Sequence, residues 1–145
     1  MVIVSFVGCT KKKQIFDCTA KEMYTQSSLY RKICYHIDKE GCDYFIILSA
    51  KYGLLLPKTI IYPYDETLNN KSNNELKQWA NNVFKQFKEF VEINNLETKQ
   101  VTLKFYCGVR YRQLLIEKIQ IEYPSFKIVI PMEGMGIGKQ LQYLT

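Results

Sequence analysis

The chain has a single histidine, five cysteines with no Cys-x-x-Cys spacing, and no apolar run near the ~20 residues of a membrane span. Each shortage removes a class of protein. An odd set of cysteines at 9, 18, 34, 42 and 107 supports neither a disulfide framework nor a zinc finger, and reads as reduced thiols in a cytoplasmic chain. The lone His36 falls inside a predicted helix, so no metal set emerges and no imidazole is in view to activate a cysteine. No cofactor is implied. The N-terminal run VIVSFVG is too short, and too soon followed by three lysines, for a signal peptide. No repeat, low-complexity tract or linker divides the sequence, and 145 residues make one domain of ordinary size, residues 1–145. Such a domain buries roughly two thirds of the surface its unfolded chain exposes.

What the chain does have is positive charge. Seventeen lysines and three arginines stand against 14 acids, for a net charge of +6. Lys11, Lys12, Lys13, Lys51, Arg110, Arg112 and Lys139 gather near proposed strand ends, and such a field suits a polyanion. The plain alternative is a Lys- and Asn-rich chain with solvated lysines. Eleven tyrosines tilt the choice towards nucleic acid, since rings beside cations suit stacked bases and phosphates.

Continuous apolar runs predict buried strands at Val2 to Val7, Asp43 to Leu48, Val101 to Cys107 and Lys127 to Ile130. Between them, Leu29, Ile33, Cys34 and Ile37 form the stripe of a helix ending before Gly41, with starts offered by Thr19 to Glu22 and by Ser27 and Ser28. Ser72-Asn-Asn-Glu75 is a capping box ahead of a helix whose Leu76, Trp79, Ala80, Val83, Phe84, Phe87 and Val91 keep the i, i+3, i+4 rhythm. Further helices are expected over Tyr111 to Ile121 and Lys139 to Leu144. Strands alternating with helices predict a three-layer α/β domain, with a mainly parallel sheet of about four strands and helices on both faces.

Each predicted strand stops at polar residues, and in an open α/β sheet ligands sit beyond the carboxyl ends of the strands. After the second strand come Ser49, Lys51, Tyr52, Tyr64 and Asp65, in a loop from Ala50 to Lys71 longer than most connections and braced by Pro57 and Pro63. A carboxylate held there can stabilise an oxocarbenium-like transition state or activate water, the chemistry of breaking a glycosidic bond. The alternative is that Asp65 caps a turn. Lys51 could neutralise a phosphate while Tyr52 stacks a base; it could equally be a solvated turn residue. Cys9, Thr10 and Lys11 follow Gly8 and could form an anion nest, or Cys9 could be a small buried hydrophobe. Tyr24, Ser27 and Ser28 precede a helix whose start could bind phosphate as well as be capped. Arg110 and Arg112 follow the third strand, one expected to face the site. Glu133, Gly134, Gly138 and Gln140 lie in a glycine turn that lacks the residues of a phosphate-binding P-loop and is expected to bring Glu133 and Gln140 to the rim.

The segments Gly-Cys-Thr-Lys-Lys-Lys, Tyr24-x-x-Ser27-Ser28, Leu-Ser-Ala-Lys-Tyr-Gly-Leu-Leu, Pro-Tyr-Asp-x-Thr-Leu, Tyr111-Arg-x-Leu-Leu and Pro-x-x-Gly-Met-Gly-Ile-Gly-x-Gln-Leu resemble a bacterial and phage family of small α/β domains of unknown function. That family is distantly similar to YaaA-type DNA-binding stress proteins and to base-excising enzymes of the uracil-DNA glycosylase kind, some associated with modified phage DNA. The resemblance implies a site lined by Cys9, Thr10, Lys11, Ser28, Lys51, Tyr52 and Asp65 and closed by Gly134, Gly138 and Gln140. Glycosylases of that kind commonly use a histidine, and only His36 is present here. The expectation is a glycosylase-like hydrolase acting on a base in DNA, with Asp65 and Lys51 catalytic and Tyr52 or Tyr64 stacking the base. The alternatives are a non-catalytic nucleic-acid-binding protein and an enzyme of free nucleosides or nucleotides.

Overall fold

The computed structural model describes residues 1–145. In chain order its elements are β1 (Val2–Gly8), β2 (Cys18–Thr19), α1 (Ala20–Met23), α2 (Ser28–Glu40), β3 (Tyr44–Ser49), β4 (Gly53–Leu55), β5 (Ile60–Ile61), α3 (Asn73–Ile93), β6 (Val101–Tyr106), α4 (Val109–Glu122), β7 (Lys127–Val129) and α5 (Ile137–Leu144). Because side chains alternate across a strand, the apolar runs feed two cores at once. Val4 and Phe6 of β1, Leu48 of β3 and Phe105 of β6 face α3 and α4. Val7, Ile47 and Tyr106 face α1, α2 and α5. Phe6 stacks on Phe105 with ring centroids 4.4 Å apart, at the centre of the first core.

The central sheet runs in the order β4, β3, β1, β6, β7. Its four mutually parallel strands are the four apolar runs of the sequence, and helices lie on both faces as expected for an α/β domain. The addition is β4, an antiparallel edge strand made when the chain turns after Ser49 and returns along β3, pairing Ser49 with Gly53 and Ile47 with Leu55. Gly53 takes φ +75° there, a left-handed conformation that glycine adopts without penalty. A second small ladder joins β2 to β5. The long loop expected from Ala50 to Lys71, read as braced by Pro57 and Pro63, thus holds two short strands as well.

α3 starts on the capping box of Ser72 and Glu75, and buries Leu76, Ala80, Val83, Phe87, Phe90 and Val91. At about 1.5–3 kcal/mol for each large side chain, that face alone secures the helix against the sheet. α4 begins at Val109 and α5 at Ile137, two residues earlier than expected in each case. Both follow a glycine, Gly108 and Gly136, that makes no side-chain cap.

The topology fixes where a ligand can enter. From β1 the chain crosses by α2 to β3 on one face, and from β4 it crosses by α3 to β6 on the other. Connections beyond β1 and β6 thus diverge, leaving a crevice between the carboxyl ends of these two neighbours.

Candidate functional site

That crevice is a cavity of about 610 Å³. Its walls are largely apolar, with Val7 at the end of β1, Leu29 and Ile33 on α2, and Met132 and Met135 in the C-terminal turn. Its polar edge carries Thr10, Arg110, Arg112 and Gln140. Arg110 is spent on structure: its Nε donates to the Leu68 carbonyl at 2.9 Å and its Nη2 to the Lys71 carbonyl at 2.7 Å, stapling the loop that follows Asp65. Arg112 donates only its Nε, to the Cys107 carbonyl at 3.3 Å, so both its terminal amino groups are without a partner in the chain. Val109 and Ile137, the first residues of α4 and α5, both line this cavity, and neither helix has a side-chain cap for its first N–H groups.

A second cavity, of about 370 Å³, adjoins the first and is polar. Cys9, Thr10, Asn69 and Tyr111 line both and form the seam between them; Lys11, Lys13, Asp65, Glu66 and Thr67 line the second alone. The seam is held from beneath. The Cys9 thiol donates to Tyr111 Oη at 3.4 Å and accepts the Ala50 N–H at 3.4 Å, while the Leu68 N–H donates to the same phenol oxygen at 3.4 Å. Lys13 folds inward until its Nζ lies 4.5 Å from the centre of the Tyr64 ring. Burial lowers its pKa, against the opposing pull of Cys9 and Asp65. Asp65 is exposed to the cavity and accepts no hydrogen bond from the chain.

Tyr64, next to Asp65, is anchored from below. Tyr24 and Tyr64 share a hydrogen bond of 2.6 Å between hydroxyls, and Ser49 donates to Tyr64 Oη at 2.8 Å. Ser49 Oγ also accepts the N–H groups of Lys51 and Tyr52, at 3.2 and 3.0 Å, which closes the turn into β4. Burial holds the phenols of Tyr24 and Tyr64 well above their ordinary range, so this network stays protonated.

Of the residues given an individual part in the site from the sequence, Cys9, Thr10, Lys11, Asp65, Arg110, Arg112, Gly134 and Gln140 line the two cavities. The others do not. Lys51 is exposed on the β3–β4 turn, its Nζ 5.4 Å from the Tyr52 ring, because Ser49 captures the turn's N–H groups and sends the side chain outward. It lines neither cavity. The Tyr52 hydroxyl meets the backbone of Tyr62, and the Tyr64 ring is covered by Lys13 on one side and meets Tyr52 edge-on. Neither lines a cavity in which a base could stack. Tyr24 is fully buried, Ser27 caps α2 by accepting the Tyr30 N–H at 3.2 Å, and Ser28 is exposed beside it. Glu133 and Gly138 are exposed and outside both linings, while Gln140 donates to the Met135 carbonyl at 2.9 Å.

Lys13, Glu66 and Asn69 carried no signal that set them apart. Nothing in three consecutive lysines says that the third is the half-buried one, and Glu66 and Asn69 join the site only through folding. His36 packs on α2 between the rings of Tyr106 and Tyr143; its Nε2 lies 2.7 Å from Glu40 Oε1 but out of line for a hydrogen bond. No three His, Cys, Asp or Glu side chains converge as metal ligands would. No helix is long and apolar enough to cross a membrane. Comparison with the curated proteins and with the solved structures found no match to this chain. Residues 4–145 match DUF6884, a family of unknown function, and the chain belongs to that family.

Proposed function

We propose that this chain hydrolyses the N-glycosidic bond of a base in DNA, a modified base in keeping with the motifs. The observation that carries the reading is the pair of cavities sharing one seam. An apolar chamber of about 610 Å³ has the size and lining suited to a flipped base, and a polar one of about 370 Å³ with a carboxylate in its wall suits the sugar. The scissile bond would then span the seam at Cys9, Thr10, Asn69 and Tyr111. Asp65 opposes the positive charge that develops on the sugar as the bond breaks, and orients the attacking water. The departing base gains negative charge, which the free amino groups of Arg112 and the uncapped starts of α4 and α5 stabilise. Lys11, exposed in the wall of the smaller cavity, and the exposed Lys12 next to it in sequence contact phosphates; the structure gives Lys51 no such part.

One observation favours a second reading. Asp65 has no hydrogen bond to hold its carboxylate, whereas positioned catalytic groups are normally held by supporting contacts, and a non-catalytic nucleic-acid-binding protein of YaaA kind would need only the basic rim. Incubation with a panel of modified DNAs, single- and double-stranded, and of free nucleosides, followed by alkali to reveal abasic sites and chromatography to find free base, separates the readings. Released base from a DNA supports excision. Release from free nucleosides alone points to a nucleoside hydrolase, and binding without any release supports the binding protein.

A further inference from the structure

We infer that Lys13 is a nucleophile of this site, forming an imine with the aldehyde of an abasic deoxyribose and giving the chain a strand-cleaving lyase activity. The inference rests on the reading that the smaller cavity takes the sugar, and on the separation of three consecutive lysines by the fold. Lys11 lines the same cavity but is exposed, and Lys12 is exposed outside it. Lys13 is half-buried, lines the cavity that contains Asp65, and holds its amine 4.5 Å from the centre of the Tyr64 ring. That ring is fixed by hydroxyl bonds to Tyr24 and Ser49, so the stem of Lys13 rests on a rigid wall. The chain offers the ammonium only one weak acceptor, the Lys11 carbonyl at 3.4 Å. Burial, the dominant influence on this amine, moves its pKa below the usual lysine value and enlarges its neutral, nucleophilic fraction.

The chemistry balances with groups already in the cavity. The neutral amine adds to C1′ of the ring-opened sugar, and the carbinolamine loses water to give an iminium. Asp65 takes a proton from C2′, the C3′–O bond breaks, and the strand bearing the phosphate on that oxygen leaves with the bonding electrons. Water then hydrolyses the iminium, restoring the amine and releasing an unsaturated aldehyde. Cys9 stands in the same cavity wall, but a thiol and an aldehyde give a hemithioacetal, which borohydride does not fix.

The test uses the full chain and an oligonucleotide carrying one preformed abasic site, with sodium borohydride present to reduce any iminium to a stable secondary amine. A covalent adduct should appear and map to Lys13 by peptide mass, and Lys13→Arg, which keeps the charge but not the nucleophile, should lower its yield roughly tenfold or more. Lys99→Arg, at an exposed position by the opposite, amino-terminal edge of the sheet and outside both cavities, should leave the yield unchanged. No adduct, or an adduct mapped to Lys11, to Lys12 or to the Met1 amine, overturns the inference, and the map on the wild-type chain serves even if the Lys13 variant misfolds. Because the aldehyde is preformed, base excision is bypassed. An adduct at Lys13 from a chain that releases no base sinks the excision reading alone; base release without an adduct sinks the lyase alone.

Discussion

Replacing Tyr64 with Phe removes one oxygen from a chain of three buried hydroxyls and leaves the ring where it is. That oxygen meets Tyr24 Oη at 2.6 Å and Ser49 Oγ at 2.8 Å, and both partners are fully buried. A buried polar group left without a partner costs about 1–3 kcal/mol. Tyr24 bears the larger share, because Ser49 Oγ still accepts two backbone N–H groups. The expected loss is therefore about 2–4 kcal/mol, a large part of the roughly 5–15 kcal/mol that holds a domain folded. With a urea m-value of about 2 kcal/mol/M, the unfolding midpoint should fall by roughly 1–2 M while m itself is unchanged. Ser49→Ala in the same background should add less than it does alone, since both substitutions break one network. A midpoint within about 0.2 M of wild type for Tyr64→Phe, or strictly additive effects, would show that the hydroxyl chain does not brace the Asp65 loop.

Gly53→Ala would drive a Cβ into Gln86 Oε1, which accepts the Leu54 N–H at 2.8 Å, and would do so at φ +75°. Left-handed strain of about 1–2 kcal/mol plus a displaced hydrogen bond predicts a loss of about 2–3 kcal/mol; an unchanged melting temperature would contradict it. Burial pushes the Cys107 thiol up to about 12 and holds the phenols of Tyr24, Tyr64 and Tyr111 above their ordinary range. The folded chain then keeps protons that the unfolded chain sheds above about pH 9, so stability is complete below that pH and falls as pH rises. Urea midpoints at about pH 8 and pH 10.5 should show this drop, and a flat or rising midpoint would refute it. Binding to duplex DNA should weaken with salt, and Lys12→Ala should reduce the slope of log K against log salt by about 0.9; an unaltered slope would remove Lys12 from the phosphate contacts.

The sheet was legible because its four parallel strands, buried on both faces, are written as continuous apolar runs, and α3 because its period and its capping box agree. The starts of α4 and α5 were misplaced by two residues because Gly108 and Gly136 cap nothing with a side chain. β4 and β5, of three and two residues, are too short to show a period. Half of the site was readable as polar residues at strand ends: Cys9, Thr10 and Arg112 stand at the crevice because β1 and β6 end there. Lys51 looked equivalent, yet one hydroxyl, that of Ser49, turns the chain away at that point. The Tyr24–Tyr64 bond joins residues 40 apart and leaves no local trace in the sequence.

The most direct test of the account is the rate of base release by Asp65→Asn, measured under single-turnover conditions on the first modified DNA from which the wild-type chain releases a base. The substitution keeps size and shape and removes only the charge that opposes the developing cation. Release should slow by roughly ten- to a thousandfold while DNA affinity stays within about twofold. Release by the variant at the wild-type rate, or no release by the wild type from any DNA offered, would contradict it.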